Sequence, residues 1–256
     1  MIPVWFTDTI TPDVARAANY TLMWGLEGVV LRHLERGTRV PEVNEAKLRN
    51  RLAADELDVA AIEPGLFNGP PAGRAAWMND LARLDESIAF CRRIGCKRII
   101  IDGLPDGPPE EAAVALGQAA RRAAAADMTL LVNNHGEGRQ RGADIAALLE
   151  HADADALKAC WDPAGALGAG EEAMQGLESL RGRIGLVVAR DMSRSASGWG
   201  RAPLGEGHVG WAAIFSELVR QGFSGPVALD LTGWRPPDGL REATRLIYLL
   251  RDALRG

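Results

Sequence analysis

Short apolar, β-branched runs alternate along the chain with longer stretches whose apolar residues recur every three or four positions. The first pattern marks buried strands and the second amphipathic helices. Eight strand-like runs are legible, at residues 3–6, 28–31, 57–62, 98–101, 129–132, 157–161, 184–188 and 226–229. Between them, Leu81, Leu84, Ile88 and Ile94 keep one inward stripe, as do Trp211, Phe215 and Leu218. Gly95 and Gly222 stand where a helix-terminating glycine belongs. Eight strand–helix units in about 250 residues is the size of a (β/α)8 TIM barrel, so the pattern predicts a single α/β domain over residues 1–256. An open doubly wound sheet would want a glycine-rich turn after the first strand. Residues 6–12, Phe-Thr-Asp-Thr-Ile-Thr-Pro, hold no glycine, and no nucleotide cofactor is expected. The polar, glycine-bearing stretch 192–200, in the longest gap between strands, is expected to form a loop on the active face.

Composition narrows the classes. The 256 residues are 47% hydrophobic and 25% charged, the profile of a globular chain rather than a disordered one. No apolar run reaches the ~18 residues of a membrane helix, and the first residues lack the basic start of a secretory signal, so a cytoplasmic protein without a membrane partner is expected. Cys91, Cys96 and Cys160 form no CxxC pair and predict neither a disulfide framework nor a zinc knuckle. A net charge of −5 without a basic cluster argues against nucleic acid as a partner. Of 29 basic residues only Lys47, Lys97 and Lys158 are lysines. Lys97 and Lys158 sit at strand starts and Lys47 in a helix, which disfavours Schiff-base chemistry.

In a barrel, chemistry gathers at the C-terminal strand ends. There the sequence places Arg32-His33, Glu63, Asp102, Asn133-Asn134-His135, Asp162, Arg190-Asp191 and Asp230. His33, Glu63, Asn133, Arg190 and Trp161 are candidate substrate-binding residues, and Asp230, His135 and Asp162 are candidate catalytic ones. His135 has the residue type for acid–base work near neutral pH. Each has a structural alternative. Asp162-Pro163 is also a common helix start, Asp230 can bond loop amides, Arg190 can simply pair with Asp191 or Asp162, and tryptophan is a frequent rim filler. His151 is expected in solvent, and His208 either caps a helix or meets substrate.

Several of these segments carry a family likeness. Residues 203–211, PLGEGHVGW, and 222–230, GFSGPVALD, together with Asn134-His135-Gly136, Trp161-Asp162-Pro163 and Arg190-Asp191, resemble motifs of the xylose isomerase-like barrels, the sugar isomerases and epimerases related to endonuclease IV. The resemblance implies an isomerase, epimerase or related lyase of carbohydrate metabolism acting on a small sugar or sugar-phosphate, with homo-oligomers common. It also implies a divalent ion, Mn²⁺ or Mg²⁺, held by a Glu, an Asp, a His and a Glu on the fifth to eighth strands. The matching positions here are Asn133, Asp162, Val188 and Asp230. Asp162 and Asp230, with Asn133 as a neutral donor, would make a weak or degenerate metal site, Val188 cannot ligate, and the family's second histidine would fall near Gly165. Two readings follow. One is an enzyme with an altered metal site; the other is a catalytically silent barrel that binds a small metabolite or a partner protein. An endonuclease IV-like nuclease is disfavoured, because its multi-zinc cluster needs more than four scattered histidines.

Overall fold

In the computed structural model, which describes residues 1–68, 74–102, 109–134 and 141–255, the eight apolar runs close into one parallel barrel. Its strands are β1 (Ile2–Phe6), β2 (Gly28–Leu31), β3 (Val59–Ile62), β4 (Arg98–Asp102), β5 (Thr129–Asn133), β6 (Leu157–Trp161), β7 (Ile184–Ala189) and β8 (Pro226–Leu229). Every strand lies beside its sequence neighbours, and β8 closes on β1, with Val4 opposite Ala228 on one side and Gly28 on the other. Around the wall run α1 (Val14–Trp24), α2 (Glu45–Ala54), α3 (Arg74–Ile94), α4 (Pro109–Ala125), α5 (Gly142–Ala152), α6 (Pro163–Gly168), α7 (Ala173–Ser179), α8 (Trp211–Arg220) and α9 (Pro236–Ala253).

Strand alternation sorts the core into two layers. One parity points into the lumen, where Val4, Phe6, Val30, Ala61, Ile100, Leu131, Cys160, Leu186, Val188 and Ala228 pack on one another. The other parity, including Trp5, Ile99, Leu130, Trp161 and Val187, packs outward against the helices. Burying a large aliphatic or aromatic side chain contributes ~1.5–3 kcal/mol, so this double layer supplies the main driving force for closure. The predicted helical stripes meet it: Leu81, Leu84, Ile88, Trp211, Phe215 and Leu218 are buried, while Ile94 is half-buried. Gly95 and Gly222 both take φ of 76°, the left-handed turn expected of them.

Two expectations need correction. The third strand begins at Val59 rather than residue 57, because the Leu57 N–H bonds back to the Leu52 carbonyl and belongs to the end of α2. The stretch 192–200 is not an irregular loop: Asp191–Ser195 and Gly198–Ala202 pair as an antiparallel ribbon. A shorter ribbon, His33–Leu34 with Thr38–Arg39, follows β2. Both follow the C-terminal ends of barrel strands. Among the described residues no helix is long and apolar enough to cross a membrane.

Candidate functional site

The lumen parity does not stop where the strands do. Counting on in steps of two from Phe6, Val30, Ala61, Ile100, Leu131, Cys160, Val188 and Ala228 gives Asp8, Arg32, Glu63, Asp102, Asn133, Asp162, Arg190 and Asp230. An apolar plug is thus topped by a ring of polar side chains, five of them acidic and two of them arginines. Six strands turn polar directly above a single apolar lumen residue, whereas β1 and β7 each carry a second one, Phe6 and Val188, and turn polar one step later at Asp8 and Arg190.

On the β1–β3 side the ring is a connected chain. Arg32 grips Asp8 with both prongs, Nε to Oδ2 at 2.8 Å and Nη2 to Oδ1 at 3.2 Å, while its Nη1 faces Glu63 Oε2 at 3.5 Å. The guanidinium also lies over the Phe6 ring, 5.2 Å from its centroid. Burial would lower the Arg32 pKa, but Glu63 and Asp8 outweigh it and hold the cation charged. Arg39 Nε donates to His33 Nε2 at 3.2 Å, and since arginine cannot accept, His33 Nδ1 carries the proton and donates to Asp8 Oδ2 at 2.9 Å. Arg39 reaches the site by crossing Gly65 (φ 67°); a Cβ there would overlap its guanidinium at 1.5 Å. Glu63 is 8% exposed. Burial pushes its carboxyl up to about 7, Arg32 pulls it back and Asp102 adds to the rise.

On the opposite side Asp162 and Arg190 form a buried pair. Arg190 Nη2 and Nε lie 2.6 Å and 2.8 Å from the same oxygen, Asp162 Oδ2, with the two side chains 16% and 1% exposed. Asp162 Oδ1 accepts from the Gly165 N–H at the start of α6. Asn134 clasps the peptide itself, its Nδ2 donating to the Asp162 carbonyl at 2.9 Å and its Oδ1 accepting from the Asp162 N–H at 2.6 Å. Both structural roles foreseen for Asp162 and Arg190 are therefore realised. Asp230 Oδ1 accepts from the Thr232 N–H at 2.8 Å, and its backbone carbonyl accepts from Arg201 Nη1 at 3.1 Å.

The structure brings His33, Glu63, Asn133, Asp162, Arg190 and Asp230 to one end of the barrel. Trp161 does not join them: it has the outward parity, is wholly buried in the helix-facing layer, and its Nε1 has no hydrogen-bond partner among the described residues. His135 lies outside the described residues. His208 packs edge-on against Trp199, centroids 5.6 Å apart, and His151 is exposed. Asp8, Arg39 and Arg201 also belong to the site although no sequence pattern singles them out, and Arg32 and Asp102 join it from the strand ends where the sequence places them without a role. Extending the first run by two residues finds Asp8.

At the positions that the resemblance assigns to a divalent ion, Val188 offers no ligand atom and Asp162 Oδ2 already holds the Arg190 guanidinium, and no group of three His, Cys, Asp or Glu among the described residues is arranged to hold an ion. The lysines are elsewhere, Lys97 paired with Asp127 and Lys47 with Glu35. Cys160 lies beneath the ring, where burial pushes its thiol pKa up and keeps it inert. A groove of about 660 Å³ between α1, α2 and the shorter ribbon, lined by Leu34, Glu35, Lys47 and Arg51 among others, contains none of the ring residues.

No curated protein sequence matches this chain. Among solved structures it resembles the probable 3-DHS dehydratase AsbF involved in petrobactin synthesis from Bacillus anthracis, at 17% identity over 96% of this chain and 99% of that one with a TM-score of 0.78. It also resembles an L-ribulose 3-epimerase (20% identity, 99% and 96% coverage, TM-score 0.78) and the IolI protein with a binding zinc atom (13%, 99% and 99%, 0.81). These likenesses speak for the fold. The family model of the xylose isomerase-like TIM barrels matches residues 20–250, nearly the whole barrel whose strand ends carry the ring, and the chain belongs to that family.

Proposed function

We propose that this barrel is an enzyme that isomerises, epimerises or eliminates from a small polyhydroxylated, sugar-like substrate, with Glu63 rather than a metal-bound carboxylate moving the proton. The observation that carries the reading is the Glu63 carboxyl, buried at the head of the lumen between Arg32, Asp8 and Asp102 and held at about 7. A carboxyl with that pKa exists in both forms near neutrality, so it can take a proton from carbon or hydroxyl and return it. Arg32 lies beside it, where developing oxyanion charge would be stabilised by a donor already in place. The Arg190–Asp162 pair supplies a fixed cation on the far side. Asn133 carries no titratable proton, so a two-base epimerisation across the fifth and eighth strands is disfavoured, and Asp230 and His135 remain the candidates for a second proton-transfer group.

Incubating the protein with a panel of sugars, sugar acids and sugar phosphates in D2O, and reading deuterium incorporation and product formation by NMR, tests this. Turnover that survives chelation and falls by about 10²-fold or more in Glu63→Gln is expected. No exchange or turnover of any panel member, with or without Mn²⁺, Mg²⁺ or Co²⁺, refutes the catalytic reading. The silent metabolite-binding barrel then stands in its place, a reading favoured by Val188 and by the guanidinium already seated on Asp162.

A further inference from the structure

The ribbon after β7 has a sidedness that its pairing fixes. Met192 stands opposite Arg201, and Arg194 opposite Trp199. Directly opposed residues share a face, so Met192, Arg194, Trp199 and Arg201 line one side of the ribbon. That side is turned to the barrel: Met192 and Trp199 pack against the core, and Arg201 Nη1 reaches the Asp230 carbonyl at 3.1 Å. The Arg194 guanidinium lies 5.9 Å from the centroid of the Trp199 ring, which His208 braces edge-on.

The ribbon is held rather than loose. At its foot the Asp191 carboxylate accepts four backbone N–H bonds, Met192 and Val209 to Oδ1 at 2.9 Å and 3.2 Å, Gly205 and Gly207 to Oδ2 at 2.9 Å and 3.1 Å. A Cβ at Gly207 would sit 2.1 Å from Oδ1, so only glycine lets the loop come this close. The His208 N–H also bonds the Met192 carbonyl at 2.8 Å.

Arg201 differs from its neighbours in what it meets. Arg32 has Asp8 and Glu63, and Arg190 has Asp162. Arg201 meets no carboxylate within ion-pair distance among the described residues, only a backbone oxygen. Burial lowers its pKa; Asp230 and Asp162 offset this in part and Arg190 adds to it. An anion arriving there would complete a half-compensated cation with a fork suited to carboxylate or phosphate oxygens.

We propose that the inner face of this ribbon is an anion subsite, in which Arg201, with Arg194 and Trp199 beside it, grips a carboxylate or phosphate group at one end of the ligand. The proposal rests on the reading above only for the remainder of the ligand, a polyhydroxylated chain or ring lying over the polar ring of the lumen. The anionic end thus selects which sugar-like molecules enter.

Isothermal titration calorimetry with matched pairs tests it: D-glucose against D-glucuronate, D-sorbitol against D-gluconate, D-ribose against D-ribose 5-phosphate, with inorganic phosphate alone. At least one anionic member is expected to bind about tenfold or more tightly than its neutral partner, the carboxylate and phosphate arms telling which group is preferred. Arg201→Gln should remove that preference, Arg201→Lys should keep part of it, and Arg251→Gln, at an exposed position on α9, should leave it intact, with thermal unfolding showing that each variant folds. Equal affinity within every pair, an undiminished preference in Arg201→Gln, or no binding of any anion at about 20 mM overturns the proposal. Should Arg201→Gln not fold, Arg194→Gln decides: an undiminished preference there overturns it. Anion-selective binding without turnover would leave the subsite standing and sink the catalytic reading. Turnover of a neutral sugar with unchanged kcat/KM in Arg201→Gln would do the reverse.

Discussion

Replacing Glu63 by Gln removes one ionisation from the head of the lumen and nearly nothing else, since the two side chains share a shape and both can face Arg32. The wild-type carboxyl goes from an ordinary 4.5 in the unfolded chain to about 7 in the folded one. A folded pKa raised above the unfolded value means that the native state binds the proton more tightly. The resulting stabilisation is complete below about pH 4.5 and is withdrawn as pH rises to about 7, while the unfolded chain ionises freely and the buried group resists. A difference of about 2.5 units at 1.36 kcal/mol per unit gives about 3 kcal/mol. Glu63→Gln is therefore expected to gain stability relative to wild type by about 3 kcal/mol between about pH 4.5 and pH 7, then to level off. Urea denaturation of both proteins across that range reads it, and taking the difference cancels every other titrating group. A difference that is flat with pH, or wild type gaining on the variant as pH rises, would mean that Arg32 holds Glu63 ionised and that the carboxyl is no proton carrier at neutral pH.

Other consequences are checked more simply. Arg190→Leu leaves the Asp162 carboxylate buried without its guanidinium and should destabilise the fold by about 3–5 kcal/mol in the same denaturation assay. Installing a family-type donor set by Asn133→Glu and Val188→His should not create stoichiometric Mn²⁺ or Zn²⁺ binding while Arg190 occupies Asp162, whereas adding Arg190→Leu should; calorimetry distinguishes the two. Asp191→Ala orphans four amides and is expected to lower stability by about 2 kcal/mol or more and to speed hydrogen exchange at Gly205, Gly207 and Val209. Trp161→Phe, which removes an indole N–H that bonds nothing among the described residues, should change ligand binding less than about twofold, because the ring faces the helices and not the lumen.

The fold was legible because it is written in local periods. Runs such as 28–31, 157–161 and 226–229 coincide with strands to the residue, and parallel strands buried on both faces have no other way to appear. The same parity, carried two residues further, already contains Asp8, Arg32 and Asp102. What pattern could not hold is the pairing between distant segments. Arg190 can be expected to pair with Asp191 or with Asp162, and only the fold, which brings Asp162 to it across 28 positions, decides between them. Arg39 and Arg201 reach the site on ribbons whose register local periodicity does not set. Trp161 was misplaced for the opposite reason: its neighbour Asp162 has the lumen parity, and adjacent residues on a strand face opposite ways.

Arg190 and Asp191 share one peptide unit yet serve opposite sides of the wall, the first reaching inward to Asp162 and the second holding the foot of the ribbon through four amides. The indole N–H of Trp211, at the head of α8, bonds the Arg190 carbonyl between them. A hinge needs a joint that can turn without breaking anything, and here any rotation of the ribbon about its base would twist the peptide that carries the Arg190 guanidinium. The ribbon is mechanically part of the barrel rim and not a flap hung upon it.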